Sequence, residues 1–214
     1  NADMHHLDLS CRDLRALPLA DLTLTVETLS LSFNQLCHID ELPSSSPHLT
    51  RLSAAHNRIV RLPSDFGMLS QLVMLDLGHN GLRAIEPLVG CPGLQTLWLQ
   101  NNALELRALV PLRQLPHLRS VTLAGNPCCT AAPAGLCTAA ALLLAPALTH
   151  IDAAQADRPL ALRLLSQQQP RRALAEAIGT KLSLALLREL PANAPSAAAV
   201  HARSAREGGA GRKP

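Results

Sequence analysis

Leucines recur along this chain as an alternating pair, then a polar residue, then a further leucine, and the whole block repeats. From Val26, Leu29 and Leu31 bracket one polar position, Asn34 follows, and Leu36 and Ile39 close the block. The block returns at Leu49 (Leu52, Ala54, Asn57, Ile59, Leu62) and at Leu72 (Leu75, Leu77, Asn80, Leu82, Ile85). It returns again at Leu94 (Leu97, Leu99, Asn102, Leu104) and at Leu118 (Val121, Leu123, Asn126). Successive starts lie 22–24 residues apart. Met4, Leu7, Leu9 and Leu14 make an earlier, weaker copy in which Arg12 stands where asparagine is due. Self-similarity at such a period predicts a solenoid of stacked units.

Each part of the block has a physical reading. In the alternating pair, side chains point to opposite faces of a short strand, so both leucines face inward and the residue between them outward. The chain must then turn, which leaves backbone donors and acceptors inside the stack. Asn34, Asn57, Asn80, Asn102 and Asn126 carry an amide that can serve both kinds of group, copy upon copy. That row is a structural ladder and not a polar active site. Later in each unit, stretches such as Leu62–Leu69 and Ile85–Gly90 contain Pro63 and Pro87 and predict short helical or 3₁₀ turns on the convex side.

The pattern L-x-x-L-x-L-x-x-N-x-L resembles the leucine-rich repeat, with six units over residues 4 to about 126. The resemblance implies an α/β solenoid: a horseshoe with a parallel concave sheet, short convex turns, a C-terminal cap and a flanking helix. Units this short are similar to the intracellular subclass of the family. After Gly125-Asn126-Pro127 a helix is expected over Ala134 to Ala145, followed by a last strand through Leu148, Ile151 and Asp152, which is similar to the cap of intracellular members. Residues 1–157 are thus expected to be array and cap. Residues 158–191 form a flanking segment whose leucines at four-residue spacing predict an amphipathic helix from Pro170 to Leu190. Residues 192–214, rich in Ala, Gly and Ser, are a tail expected to be disordered. At the other end, uncovered Leu7 and Leu9 suggest a missing N-terminal cap.

Composition narrows the function. Aromatic residues are Phe33, Phe66 and Trp98 alone, without a tyrosine, which excludes nucleic-acid platforms that stack bases on aromatic rings. The net charge of +3 resides in the tail, where Arg203, Arg206, Arg212 and Lys213 outweigh Glu207. The neutral remainder lacks the basic surface that direct binding to nucleic acid requires. The longest apolar run, Ala139 to Leu148, is too short to span a bilayer. Six cysteines show neither paired C-x-x-C arms nor a disulfide framework, which predicts reduced, buried thiols and a cytoplasmic protein, with nuclear or ciliary locations as alternatives.

Stacking the copies gives four outward columns. One runs His6, Thr28, Arg51, Met74, Thr96, Ser120; the next Asp8, Ser30, Ser53, Asp76, Trp98, Thr122. A third runs Ser10, Ser32, Ala55, Gly78, Gln100, Ala124; the last Cys11, Phe33, His56, His79, Asn101, Gly125. Arg51, His56, Met74, Asp76, His79, Trp98 and Asn101 cluster in repeats three to five and are the expected partner-binding residues, with the indole as anchor. His56 and His79 raise the question of metal, but Phe33 and Asn101 beside them do not complete a tetrahedral set, so no metal site is expected. Neither a phosphate loop nor a nucleophile motif appears, so no enzyme, cofactor or small-molecule substrate is expected. The expected function is an adaptor or regulatory module that binds a protein on its concave face. The alternatives are a ribonucleoprotein component acting through a partner protein, and a cytoskeletal or ciliary adaptor.

Overall fold

The computed structural model describes residues 5–186 except 23, 153, 180, 181 and 184. Each unit opens with a three-residue strand: β1 His6–Asp8, β2 Thr28–Ser30, β3 Arg51–Ser53, β4 Met74–Asp76, β5 Thr96–Trp98 and β6 Ser120–Thr122. Two shorter strands, β7 His150–Ile151 and β8 Ala154–Gln155, complete a sheet of eight laid down in chain order and left open at both edges. β1 to β7 are parallel, and their central residues Leu7, Leu29, Leu52, Leu75, Leu97, Val121 and Ile151 stand in one register. These and the leucines two positions on (Leu31, Leu77, Leu99, Leu123) feed one continuous aliphatic core. The solenoid is a parallel-stranded leucine-rich repeat horseshoe.

The convex side is built from the short turns that the prolines and the tight unit length predict. They are a single helical turn, α1 Leu42–Ser45, and 3₁₀ segments at Phe66–Met68, Glu86–Gly90 and Leu106–Gln114. Adjacent turns touch backbone to backbone: a Cβ on Gly67 would lie 2.7 Å from the Cα of Gly90. Only glycine permits that approach.

Behind the ladder, each asparagine ties two units together. Asn57 Nδ2 donates to Ala54 O of its own turn (3.1 Å) and to Leu31 O of the preceding one (2.9 Å), while its Oδ1 accepts from Leu36 N (3.0 Å). Asn34, Asn80, Asn102 and Asn126 repeat this arrangement. Asp152 ends the series: its carboxylate accepts from Leu123 N (2.6 Å) and Ala124 N (2.8 Å).

The ends of the stack depart from expectation in three places. Leu9, expected to lack cover, is 1% exposed, and Leu14 and Leu17 pack against the same core. The strand at Ile151 does not end the sheet, because Asp152 takes a positive φ of 49° and turns the chain back into antiparallel β8. The helix expected from Pro170 to Leu190 is interrupted. Here α5 runs Gln168–Ile178 and breaks at Gly179, whose φ of +90° departs from helical geometry, and residues 182, 183, 185 and 186 are helical again.

Before α5 come α2 Pro127–Thr130, α3 Leu136–Leu144 and α4 Arg158–Ser166. The start of α3 at Leu136 is set by Gly135 at φ +79°, two residues later than the Ala134 expected. α3 lies over the last convex segment and α4 over α3, which brings Leu136, Ala140, Leu144 and Leu165 into the core and covers the last repeat. The tail from Ala192 and the expected helix end at Leu190 lie outside the described residues. Among the described residues no helix is long and apolar enough to cross a membrane.

Candidate functional site

On the concave face the strand register fixes which outward residues are neighbours. Arg51 pairs with Met74 and Met74 with Thr96; Ser53 pairs with Asp76, Asp76 with Trp98 and Trp98 with Thr122. Met74, Asp76 and Trp98 are half-buried, and Arg51 is exposed. The structure therefore places an indole, a thioether and a carboxylate on two adjacent strands, with a guanidinium one strand away.

Just beyond the strands, Cys11, Phe33, His56, His79, Asn101 and Gly125 all have positive φ, between 54° and 75°. Each unit needs a left-handed residue before its ladder asparagine turns the chain inward. Glycine fills that position once, in Gly125, and a bulky residue there is uncommon and costs roughly 1–2 kcal/mol. The shared backbone brings the rings into a stack. Phe33 and His56 lie 4.3 Å apart at 9°, and His56 and His79 lie 4.0 Å apart at 13°. Asn101 Nδ2 continues the row at 3.2 Å from His79 Nε2. The two histidines thus face each other's rings, an arrangement that satisfies stacking and leaves no shared coordination point. Phe33, at 57% exposure, belongs to this row; column reading placed it next to His56, but only the backbone reveals the stack.

Asp76 is held at an electrostatic cost. Burial raises its carboxyl above the ordinary value of 3.8, opposed by hydrogen bonding from Gly78 N (2.9 Å), by the nearby His56 and His79, and by Ser53. The folded state therefore holds its proton more tightly than the unfolded chain does. Its contribution to stability is fully present below about pH 3.8 and is lost as pH rises through the folded value. Asp76→Asn, which keeps the acceptor for Gly78 N, is expected to melt above the wild type at pH 7, the gap closing toward pH 4. Melting curves across that range check it; a gap that widens in acid contradicts the burial.

Two further concave groups escaped the sequence. The side chain of Gln100 lies over Gly78, where any Cβ would collide with it. Gln100 Oε1 and Thr122 Oγ1, close to Trp98 on the same face, are buried with no protein hydrogen-bond partner. Nothing in the residue pattern distinguishes these two from other polar outward positions.

The cysteines also need correction. Cys91, Cys128 and Cys137 are buried, as expected, but Cys11 and Cys37 are exposed and Cys129 is half-buried. Cys128 and Cys129 of α2 and Cys137 of α3 bring their sulfurs together: 2.7 Å from Cys129 to Cys137, 3.3 Å from Cys137 to Cys128 and 3.8 Å from Cys128 to Cys129. Hydrogen bonding from Cys129 and Cys137 brings the Cys128 thiol down to about 4. The bond with Cys128, together with burial, pushes Cys129 up to about 12, and bonds with both neighbours together with burial push Cys137 up as well. The spacing C-C-x₇-C is no metal motif, so it took the fold of α2 against α3 to reveal this cluster.

Comparison with known proteins agrees with the fold. Residues 47–104 match the family model described as leucine rich repeat. Geranylgeranyl transferase type-2 subunit alpha of Homo sapiens is 33% identical over 126 residues, which is 58% of this chain but 20% of that protein's length. Cilia- and flagella-associated protein 410 of Mus musculus is 40% identical over 63 residues, covering 29% of this chain and 25% of that protein. A solved leucine-rich repeat protein of Leptospira interrogans superposes with a TM-score of 0.55 at 23% identity, over 71% of this chain and 43% of that one. It shares the fold. The period, the asparagine ladder, the open parallel sheet and these matches together identify the chain as carrying a leucine-rich repeat array, a domain built for protein interaction.

Proposed function

We propose that the array is an adaptor or regulatory module that binds a partner protein on its concave face, centred on Trp98. The carrying observation is the register that places Trp98 between Asp76 and Thr122, with Met74 diagonal to it. Indole and thioether supply an apolar centre that a partner can desolvate, and such anchors are where truncation costs about 2 kcal/mol or more. Around it stand Gln100 Oε1 and Thr122 Oγ1, buried without a hydrogen-bond partner in the chain, and the Asp76 carboxylate, whose burial outweighs the hydrogen bonds and charges that face it. A partner donating to them would recover what burial cost. Arg51, His56, His79 and Asn101 form the polar surround and set orientation. The partner is a protein, and a cytoplasmic setting is part of the proposal.

The similarity to a transferase subunit favours a second reading. The array would then be the interaction part of a longer subunit, of which the matched region is a fifth, with chemistry carried elsewhere. Similarity to the ciliary protein likewise supports an axonemal or ciliary adaptor. All of these use the same face.

Trp98→Ala should abolish capture of a native partner, identified by cross-linking mass spectrometry, while the melting temperature stays nearly unchanged. Glu86→Ala on the convex side should change neither. Full binding by Trp98→Ala sinks the proposal. Loss of binding in Leu182→Ala instead would move the site to the C-terminal segment.

A further inference from the structure

We propose that Cys128, Cys129 and Cys137 form a zinc(II) site, three thiolates with water as the fourth ligand, where the repeat array meets its C-terminal helices. Among the described residues these are the only three or more His, Cys, Asp or Glu side chains whose donor atoms converge, all within 4.8 Å of one another. They sit on rigid parts. Cys128 N donates to Leu104 O (2.8 Å) and Cys129 N to Asn126 O (2.9 Å), so α2 is locked to the end of the asparagine ladder. Cys137 lies in the first turn of α3, buried against the same core. A site held on packed elements loses little freedom when an ion arrives.

The sulfur triangle decides which ion. Its edges are 2.7, 3.3 and 3.8 Å. A tetrahedral ion bonded to sulfur at ~2.3 Å wants edges of about 3.8 Å, so the longest edge already fits and the others must open by about 0.5–1 Å. A trigonal planar copper(I) centre with sulfur bonds of similar length would want all three near about 4.0 Å, wider than any edge present. With edges this short the ion stands out of the sulfur plane, which leaves one vertex of a tetrahedron without a protein ligand. Cys128 also lines a cavity of about 520 Å³ bounded by Pro127, Ala131, Leu136, Glu105 and Glu176, which puts water-accessible space beside the cluster. Each thiol that enters forms a sulfur–metal bond and gives up its proton to solvent; no electron moves.

Cobalt(II), whose thiolate charge-transfer and tetrahedral visible bands report the same geometry, is the probe for the reduced full-length chain. One equivalent should develop those bands, zinc(II) should bleach them, and zinc should protect three thiols from a disulfide reagent. Loss of a mere outer-shell partner costs ~10–100-fold in affinity, so Cys129→Ser or Cys137→Ser should cost about 100-fold or more. Cys37→Ser, at an exposed thiol outside the cluster, should bind as wild type. Cys129 is half-buried, so its variant is the one expected to keep its fold, checked by its melting curve. Persistence of the bands in folded Cys129→Ser overturns the proposal. So does uptake of copper(I) but not zinc(II), and so does no metal uptake with peptide mapping finding a Cys129–Cys137 disulfide.

Discussion

Leu97→Ala is expected to lower unfolding free energy by about 2–5 kcal/mol, the range for truncating a fully buried leucine where the surroundings cannot collapse. Leu97 is fully buried, at the centre of β5, and paired in register with Leu75 on one side and Val121 on the other. Three-residue strands give it no slack: its backbone is fixed by both neighbours, so the cavity cannot be closed by sliding the strand. Leu75→Ala should behave alike. Asp76→Ala, one residue on, removes a half-buried carboxylate whose charge is unfavourable there, and should cost far less. Denaturant melts of the three variants check this. Comparable losses for Asp76→Ala and Leu75→Ala would mean that the alternation of inward and outward residues is misread.

Alternation and ladder were legible because they repeat. A single L-x-L pair is weak, but the same pair five times in phase with an asparagine fixes strand, register and turn together, and the cross-strand pairs follow by counting. Trp98 beside Asp76 came out of that counting. What did not come out lies where copies differ or where backbone sign matters. Column reading sets Phe33, His56 and His79 side by side, but only their shared left-handed φ shows that the rings stack. The reversal at Asp152 and the break at Gly179 occur beyond the last unit, where no neighbouring copy constrains the reading. Leucines at four-residue spacing continue past Gly179, so periodicity alone carries one helix through the break. The thiol cluster joins residues from two short helices, and its spacing is set by how α3 docks.

Asn102→Ala is expected to destabilise the array by roughly 2–5 kcal/mol, as much as a core leucine. The reason is the accounting of hydrogen bonds behind the sheet. Asn102 Oδ1 is the acceptor for Leu82 N (2.9 Å), while its Nδ2 donates to Leu77 O (2.9 Å) and Leu99 O (3.0 Å). Both carbonyls keep a second donor, Asn80 Nδ2 for Leu77 O and Asn126 Nδ2 for Leu99 O. Leu82 N has no such reserve, and a buried donor left unpaired costs about 1–3 kcal/mol, with about 1 more for each bond lost. Asn102→Asp separates the two functions of the amide. It keeps an acceptor for Leu82 N but aims a charged oxygen at the carbonyls of Leu77 and Leu99, so at neutral pH it should be less stable than Asn102→Ala. Burial against those carbonyls raises the introduced carboxyl, so the variant binds protons more tightly when folded, and its stability should recover as pH falls toward 4. Equilibrium unfolding of both variants at pH 7 and pH 4 checks the ordering. An aspartate variant equal to wild type at pH 7 would show that the donor side of the ladder contributes nothing, and that the asparagines are held there by their acceptor alone.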